Sequence, residues 1–557
     1  MEWYQRCRRR IHNMAEIVVL TKIPRREISY FKDNGESLSL AYLASFLRQN
    51  GYIVHIFDAA LEGLSVVEAQ NKLLILATSL EPIVIGFTIA DMTFINPTID
   101  TIKFLRKNFV TSHLTMGGHS PTFNYKEIFK LCPELDSIIR FEGEVPLLKL
   151  CDSIKNKLDW KKLPNLSYSS FGKIQENLPT HLIENLDMLP FPARDYTKYI
   201  INKYPDIAIV PLAGSRGCFR NCGFCSIRKF YDIPLGKPWR PRDIKNVVEE
   251  IVDLKENIPF LKEVVFIDDN FTGPEKNKID RMNNLLEEFK KNNIKIMLAI
   301  SDRADNITDD IAQVWFNLGV RLVLIGLESA SNKLLKKFNK EISIQNQIDA
   351  INILDRYNID TAISFINFTP WSTIDDIENN VKHFSSLNIN MIQGLLNKYQ
   401  IYDGTPLAEE LRSNRQVIGE YPNFSYISLD ERVDKLYDLI HSSFNPFLEI
   451  AYKLKLTERK IRILLFDSQI KNQVLLENEI KEHKKRFQTI TKIIMDTIAD
   501  AFTIGIQIVK SNNYISSEEE STFKKYVEEK SIECLRVIDW FSDLCPIFNY
   551  SEKQIKL

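Results

Sequence analysis

At 557 residues the chain is too long for one ordinary domain, and two or three are expected. Its apolar content of 44% is enough for packed cores and excludes a disordered chain. The 72 lysines and arginines nearly cancel 73 aspartates and glutamates, so no global charge argues for a nucleic-acid or membrane partner. Eight cysteines are too few for a secreted disulfide scaffold. Arg6, Arg8, Arg9 and Arg10 are followed by no apolar run, so residues 1–14 read as an appendage rather than a signal peptide. Ile493 to Val509 is the most apolar late stretch, but Asp496 and Asp500 within it argue against a transmembrane helix. A cytoplasmic protein is expected.

In chain order, Glu16–Leu20 is an apolar, β-branched run that predicts a strand. Ser37–Asn50 repeats Leu40, Leu43 and Leu47 at helical spacing and stops at Gly51. Further strands are predicted at Tyr52–Phe57, Ile83–Thr88, Leu114–Met116 and Ser137–Phe141, with helices near Asn96–Lys107, Tyr125–Leu131 and Pro146–Ile154. Such a βα series predicts a doubly wound, Rossmann-like parallel sheet over residues 15–160, with ligands at the carboxyl ends of its strands. A connector spans 161–200, with a hairpin around Gly172 and a stiff Leu189-Pro-Phe-Pro192 linker. From Ile207 the βα rhythm resumes, with strands ending near Ala213, Ile267, Ile300, Ile325, Ile366 and Leu396. Six units over 201–425 predict a partial (β/α)6 barrel rather than a closed eight-fold one. Three or four long helices then form an all-α region over 426–557.

Three of the eight cysteines, Cys218, Cys222 and Cys225, fall within eight residues as CxxxCxxC, just after the apolar run Ile207–Leu212. Three thiolates on a [4Fe–4S] cluster leave one iron open to another ligand. Gly214, Gly217 and Gly223 let the backbone wrap closely around such a group. A zinc knuckle would need a fourth Cys or His nearby, and none follows. Cys534 and Cys545 have no partner histidine and read as buried thiols, so no auxiliary cluster is expected.

This motif, with the aromatic Phe224 beside the last cysteine, resembles the radical S-adenosylmethionine (SAM) superfamily. The resemblance continues in order through Phe266-Ile-Asp-Asp-Asn-Phe271, Ser301-Asp-Arg-Ala-Asp305 and Ile325-Gly-Leu-Glu-Ser329. It implies SAM contacts at Phe224, Asp268, Asp269, Ser301, Arg303 and Glu328. Arg303 would grip the SAM carboxylate and Glu328 would face the ribose or the sulfonium; the bland alternative pairs these two with each other or leaves them to solvent.

Residues 15–425 resemble the branch of this superfamily that carries a cobalamin-binding domain. The signs are Ser37-Leu-Ser-Leu-Ala-Tyr-Leu-Ala44, Met116-Gly-Gly-His-Ser-Pro121, Phe141-Glu-Gly-Glu144 and Leu186–Asp195. The resemblance implies cobalamin, with Thr88, Gly117, Gly118, His119 and Glu142 as contacts. No DxHxxG loop is present, so it implies cobalt without a lower histidine. A vestigial domain that binds nothing remains the alternative. Phe368 and Trp371 stand where relatives have a glycine-rich loop, and Tyr399 and Tyr402 close the sixth unit.

The function implied is a cobalamin-dependent C-methyltransferase acting on an unactivated carbon of a natural product or peptide. It would use one SAM to methylate the corrin and a second to make the hydrogen-abstracting radical, with electrons from a flavodoxin or ferredoxin. The alternatives are a non-methylating rearrangement or cyclisation, and a partner-binding protein with a structural cluster. No membrane or nucleic-acid partner is expected.

Overall fold

The computed structural model describes residues 15–26, 35–203, 209–274, 276, 278–385, 387, 389–511 and 514–544. The 1–14 appendage, Cys7, Cys545 and the start of the run at Ile207 lie outside the described residues.

The first sheet has seven strands: β1 (Ile17–Lys22), β2 (Ile53–Asp58), β3 (Val84–Ile89), β4 (His113–Gly118), β5 (Ser137–Ile139), β6 (Leu166–Ser170) and β7 (Lys173–Glu176). Their order is β2-β1-β3-β4-β5-β6-β7, and the first five run parallel. Alternation along β1 explains the two covered faces. Val18 and Leu20 pack with Leu40 and Leu47 of the helix Leu38–Gln49, whereas Val19 packs with Ile99 and Ile102 of the helix Ile95–Lys107. The hairpin around Gly172, read from the sequence as part of a connector, instead joins this sheet: β6 pairs antiparallel with β5. The helix predicted from Tyr125 begins at His119, directly on leaving β4. The crossover from β2 to β3 carries a helix that the sequence reading did not single out, Val66–Leu80, started by a Ser65–Glu68 capping box.

His113 opens β4 with its Nε2 2.8 Å from Ser137 Oγ and its ring edge-on to Trp160. Burial pushes its imidazole down to about 4, so the folded protein holds it neutral. Between pH 6.5 and 4 the unfolded chain binds this proton and the folded one does not, so its contribution is intact above 6.5 and lost as pH falls. His113→Gln should flatten the stability–pH curve in that window by on the order of 3 kcal/mol, read by urea unfolding at several pH values. An unchanged slope would assign the acid sensitivity elsewhere.

The second sheet is built from β8 (Pro211–Leu212), β11 (Glu263–Phe266), β12 (Met297–Asp302), β13 (Val320–Glu328) and β14 (Asp360–Phe365), all parallel and in chain order. Between β8 and β11 a small antiparallel pair, β9 (Ser215–Gly217) and β10 (Trp239–Pro241), carries the chain into and out of the cysteine loop. The sixth strand expected to end near Leu396 is reduced to one parallel bridge, Phe368 with Lys398, after the short helix Ile392–Leu396. The barrel is therefore open on that side. Helices Glu431–Ser443, Asn445–Ile470, Val474–Ser511 and Ser517–Leu544 form the tail. The tail is tied to the amino ends of barrel strands: Arg459 pairs with Glu263 at the start of β11, and Arg462 and Lys484 both pair with Asp360 at the start of β14. Among the described residues, no helix is long and apolar enough to cross a membrane.

Candidate functional site

Cys218, Cys222 and Cys225 lie on the loop after β9, each half-buried and without a disulfide. Gly217 makes that loop possible: its φ is +82°, and a Cβ there would stand 1.9 Å from the Pro238 carbonyl oxygen. The loop is pinned from the far side of the barrel, since Gly223 N donates to Phe338 O at 2.7 Å and Leu407 N donates to Gly223 O at 3.2 Å. Phe224 packs edge-on to Phe338 at 5.5 Å, with Lys340 Nζ 5.8 Å from its ring centre. Burial raises the thiols of Cys218 and Cys225, the latter to about 12, so loading metal here must release protons. Among the described residues, no three metal-ligating side chains converge tightly enough for a single ion. A cubane has no need of such convergence, because its thiolates go to three different irons.

The residues predicted to hold SAM divide into two groups. Asp268, at the end of β11, is fully engaged within the protein: its carboxylate accepts from Gly214 N at 2.8 Å and from Ser215 Oγ. It thereby braces the start of the cysteine loop, a role the sequence reading did not assign it. Asp269 is exposed on the wall of a cavity, and the poor solvation of that concave wall and then Asp268 raise its carboxyl to about 7. Ser301 stands near the end of β12. Arg303 does not meet Glu328. Its fork closes on Asp305 at 2.8 and 3.1 Å, Nη2 also donates to Lys340 O at 2.6 Å, and Nη1 lies 3.7 Å from Cys222 Sγ. Glu328 ends β13 at φ +64°, and its Oε1 pairs with the buried Lys340 at 2.8 Å. The sequence reading missed Asp302. This buried carboxylate accepts from Asn270 Nδ2, Thr272 N, Asn306 Nδ2 and the Arg303 amide, knotting the ends of β11 and β12 together.

A cavity of about 350 Å³ lies between the two sheets. Thr88, Gly117, Gly118, His119 and Glu142 all line it from the first sheet, and Arg216, Gly217 and Asp269 line it from the barrel. It opens at the switch point between β1 and β3, where a doubly wound sheet places its ligand. Thr88 Oγ1 is 3.0 Å from Ser39 Oγ at the start of the helix Leu38–Gln49. His119 stacks on Phe230 at 4.1 Å; burial lowers its imidazole to about 4, and its Nδ1 has no hydrogen-bond partner among the described residues.

Glu142 is on the wall, yet both its oxygens are taken. Oε1 accepts from Arg216 Nη1 and Arg240 Nη2, each at 3.0 Å, and Oε2 accepts from Arg240 Nη1 at 3.1 Å and Ile183 N at 2.8 Å. Burial alone would raise its carboxyl, but the two guanidiniums outweigh that and hold it below the ordinary value. Glu142 is thus a clamp between the first sheet and the cysteine loop, not a free contact. Glu144 adds a second carboxylate to Arg216 at 2.5 Å.

Gly118 has φ +119°, and a Cβ there would stand 2.1 Å from Ile89 O on the neighbouring strand. Gly118→Ala should cost roughly 1–3 kcal/mol or more, whereas Gly117→Ala, whose nearest contact is 3.4 Å, should cost well under that. Urea unfolding of both variants checks the contrast, and equal costs would refute it.

The chain matches two family models, the B12 binding domain over residues 28–150 and the radical SAM superfamily over 212–384. It is 29% identical over 419 residues to an uncharacterised methyltransferase of Pyrococcus horikoshii, covering 75% of this chain and 87% of that one. It is 27% identical over 427 residues to the anaerobic magnesium-protoporphyrin IX monomethyl ester cyclase of Rubrivivax gelatinosus, covering 73% of each. The fold is similar to that of the cobalamin-dependent S-adenosylmethionine radical enzyme OxsB with aqua-cobalamin and SAM bound, with a TM-score of 0.71, 17% identity, and coverage of 98% of this chain and 83% of that one. The chain belongs to the cobalamin-binding radical SAM enzymes. Its cofactors are a [4Fe–4S] cluster, SAM and cobalamin. The residues present fit them: a three-thiol loop pinned on both sides, and a cavity with a close-backed glycine wall and an unpartnered buried imidazole nitrogen.

Proposed function

We propose that this enzyme is a C-methyltransferase acting on an unactivated carbon of a small natural product or a peptide. The observation that carries the reading is the shared cavity, with Thr88, Gly117, Gly118 and His119 on one wall and the Arg216–Gly217 approach to Cys218 on the other. Cys218, Cys222 and Cys225 would hold the cluster and leave one iron without a thiolate. Thr88, the two glycines and the neutral His119 would hold cobalamin. Asp269 and Ser301 would take the polar groups of SAM, with Phe224 as an apolar wall beside them. Glu328, fixed through Oε1 by Lys340, keeps Oε2 for a ribose hydroxyl, with Ser364 Oγ as its one hydrogen-bond partner among the described residues, at 3.4 Å. Arg303 donates toward Cys222 and so acts on the cluster loop. When bound, these cofactors supply one-electron reduction, a hydrogen-abstracting radical and a methyl carrier. Phe230, Tyr231 and Leu20 keep the cavity wall apolar, which limits water around a reactive centre. A flavodoxin or ferredoxin would deliver the electron.

Likeness to the Pyrococcus methyltransferase supports methyl transfer, and likeness to the Rubrivivax cyclase favours a second reading, ring formation without methylation. Turnover with methyl-deuterated SAM separates them. A product carrying the labelled methyl supports the first, and an unlabelled, altered product supports the second.

A further inference from the structure

A second concavity, a groove of about 1030 Å³, lies on the open side of the barrel. Its walls come from three parts of the chain: Asp91 after β3, Lys398 on the bridge that stands in for a sixth strand, and Tyr437 in the helical tail. Lys398 Nζ stands 4.7 Å from the ring centre of Tyr426 and 4.5 Å from that of Tyr437, and it donates to Ser425 Oγ at 3.2 Å. Among the described residues, no carboxylate pairs with it. The other charges of the groove are already matched, Arg25 with Asp91 at 3.1 Å and Arg26 with Asp100. With those two pairs closed, Lys398 is the one lysine or arginine of the lining, among the described residues, left without a carboxylate. A positive excess in a concave, partly apolar site draws anions. An ammonium has three donors, and among the described residues one of these is used on a protein oxygen.

Tyr402 donates to Gln400 Oε1 on the groove wall at 2.6 Å, and its hydroxyl lies close enough to feel the charge of both Asp91 and Cys225.

We propose that this groove takes the substrate by an anionic group, a carboxylate or a phosphate held by Lys398, with a planar ring against the half-buried Tyr437 beside it. That the occupant is a substrate rests on the function proposed above; the binding itself does not. The test uses the full, reconstituted chain and two dyes of the same shape, 1-anilinonaphthalene-8-sulfonate and the uncharged N-phenyl-1-naphthylamine. Lys398→Met keeps the apolar stem and should weaken the sulfonate at least tenfold while changing the neutral dye less than twofold. Lys398→Arg should restore the sulfonate. Displacement of the dye by phenyl phosphate or by benzoate supports the proposal and tells which anion is preferred, and displacement by neither overturns it. Equal sulfonate binding by wild type and Lys398→Met overturns it, as does equal loss of both dyes, which would show only a packing role. Absence of methyl transfer in the wild type would sink the proposed function and leave the dye result standing.

Discussion

Replacing Cys218, Cys222 and Cys225 together by alanine is expected to abolish both iron loading and 5′-deoxyadenosine formation. Wild-type protein reconstituted without oxygen should hold about four iron atoms per chain, as a single cubane requires. The triple variant should fall to background. The loop that carries the three thiols is fixed by contacts that do not involve sulfur, including Gly223 with Phe338 and Leu407. The variant should therefore stay folded and lose only the metal. Cys534, buried in the tail, and Cys132, buried under the first sheet, supply the controls, since alanine at either should leave iron content unchanged. Iron and SAM cleavage retained in the triple variant would remove the cluster from this loop. Iron lost equally in the Cys534 variant would make the assay unspecific.

The second large effect is expected from Glu142→Gln. Its carboxylate is the shared counter-ion of the buried Arg240 guanidinium and the half-buried one of Arg216. Removing the charge leaves Arg240 without a carboxylate among the described residues, against the Ile183 carbonyl and the Tyr231 ring, and leaves Arg216 with Glu144 as its carboxylate. Breaking a buried pair from one side costs about 3–5 kcal/mol, because the remaining charge stays out of water without its partner. Here the loss falls at the joint between the first sheet and the strand that enters the cysteine loop. A lowered unfolding midpoint is expected together with weaker hydroxocobalamin binding. Removing Arg240 as well, as Arg240→Met, should cost less than the two single changes added, with a coupling of roughly 1–3 kcal/mol. Additive costs would show that the two residues do not act as a pair.

What the sequence by itself determined is local. The CxxxCxxC spacing needs no tertiary contact to be read, because three thiols within eight residues must share one loop. The alternation of apolar strands and amphipathic helices likewise fixed a doubly wound sheet, a partial barrel and a helical tail, since each period reports which face of its own element is buried. The glycines and His119 at the end of β4 were legible for the same reason: a strand end in such a sheet is where a ligand sits.

The tertiary structure decided which charges are free. Asp268 and Glu142 read like ligand contacts in sequence, yet Asp268 is spent on Gly214 and Ser215, and Glu142 on arginines 74 and 98 residues away. Glu328 and Arg303 looked like partners of one another or of a ligand; they do not meet, because Lys340 holds one oxygen of Glu328 and Asp305 holds the fork of Arg303. Lys398 drew no notice because a lysine beside two tyrosines distant in sequence carries no pattern, and its want of a carboxylate exists only once the tail has folded over the open barrel edge. The sixth strand failed for a related reason: an apolar run at Ile392–Leu396 fits a strand or a short helix equally well, and packing against the tail settled it as a helix. Spacing along a chain encodes what lies within one loop or one face. Pairing between charges is set by which loops the fold brings together, and no local period records that.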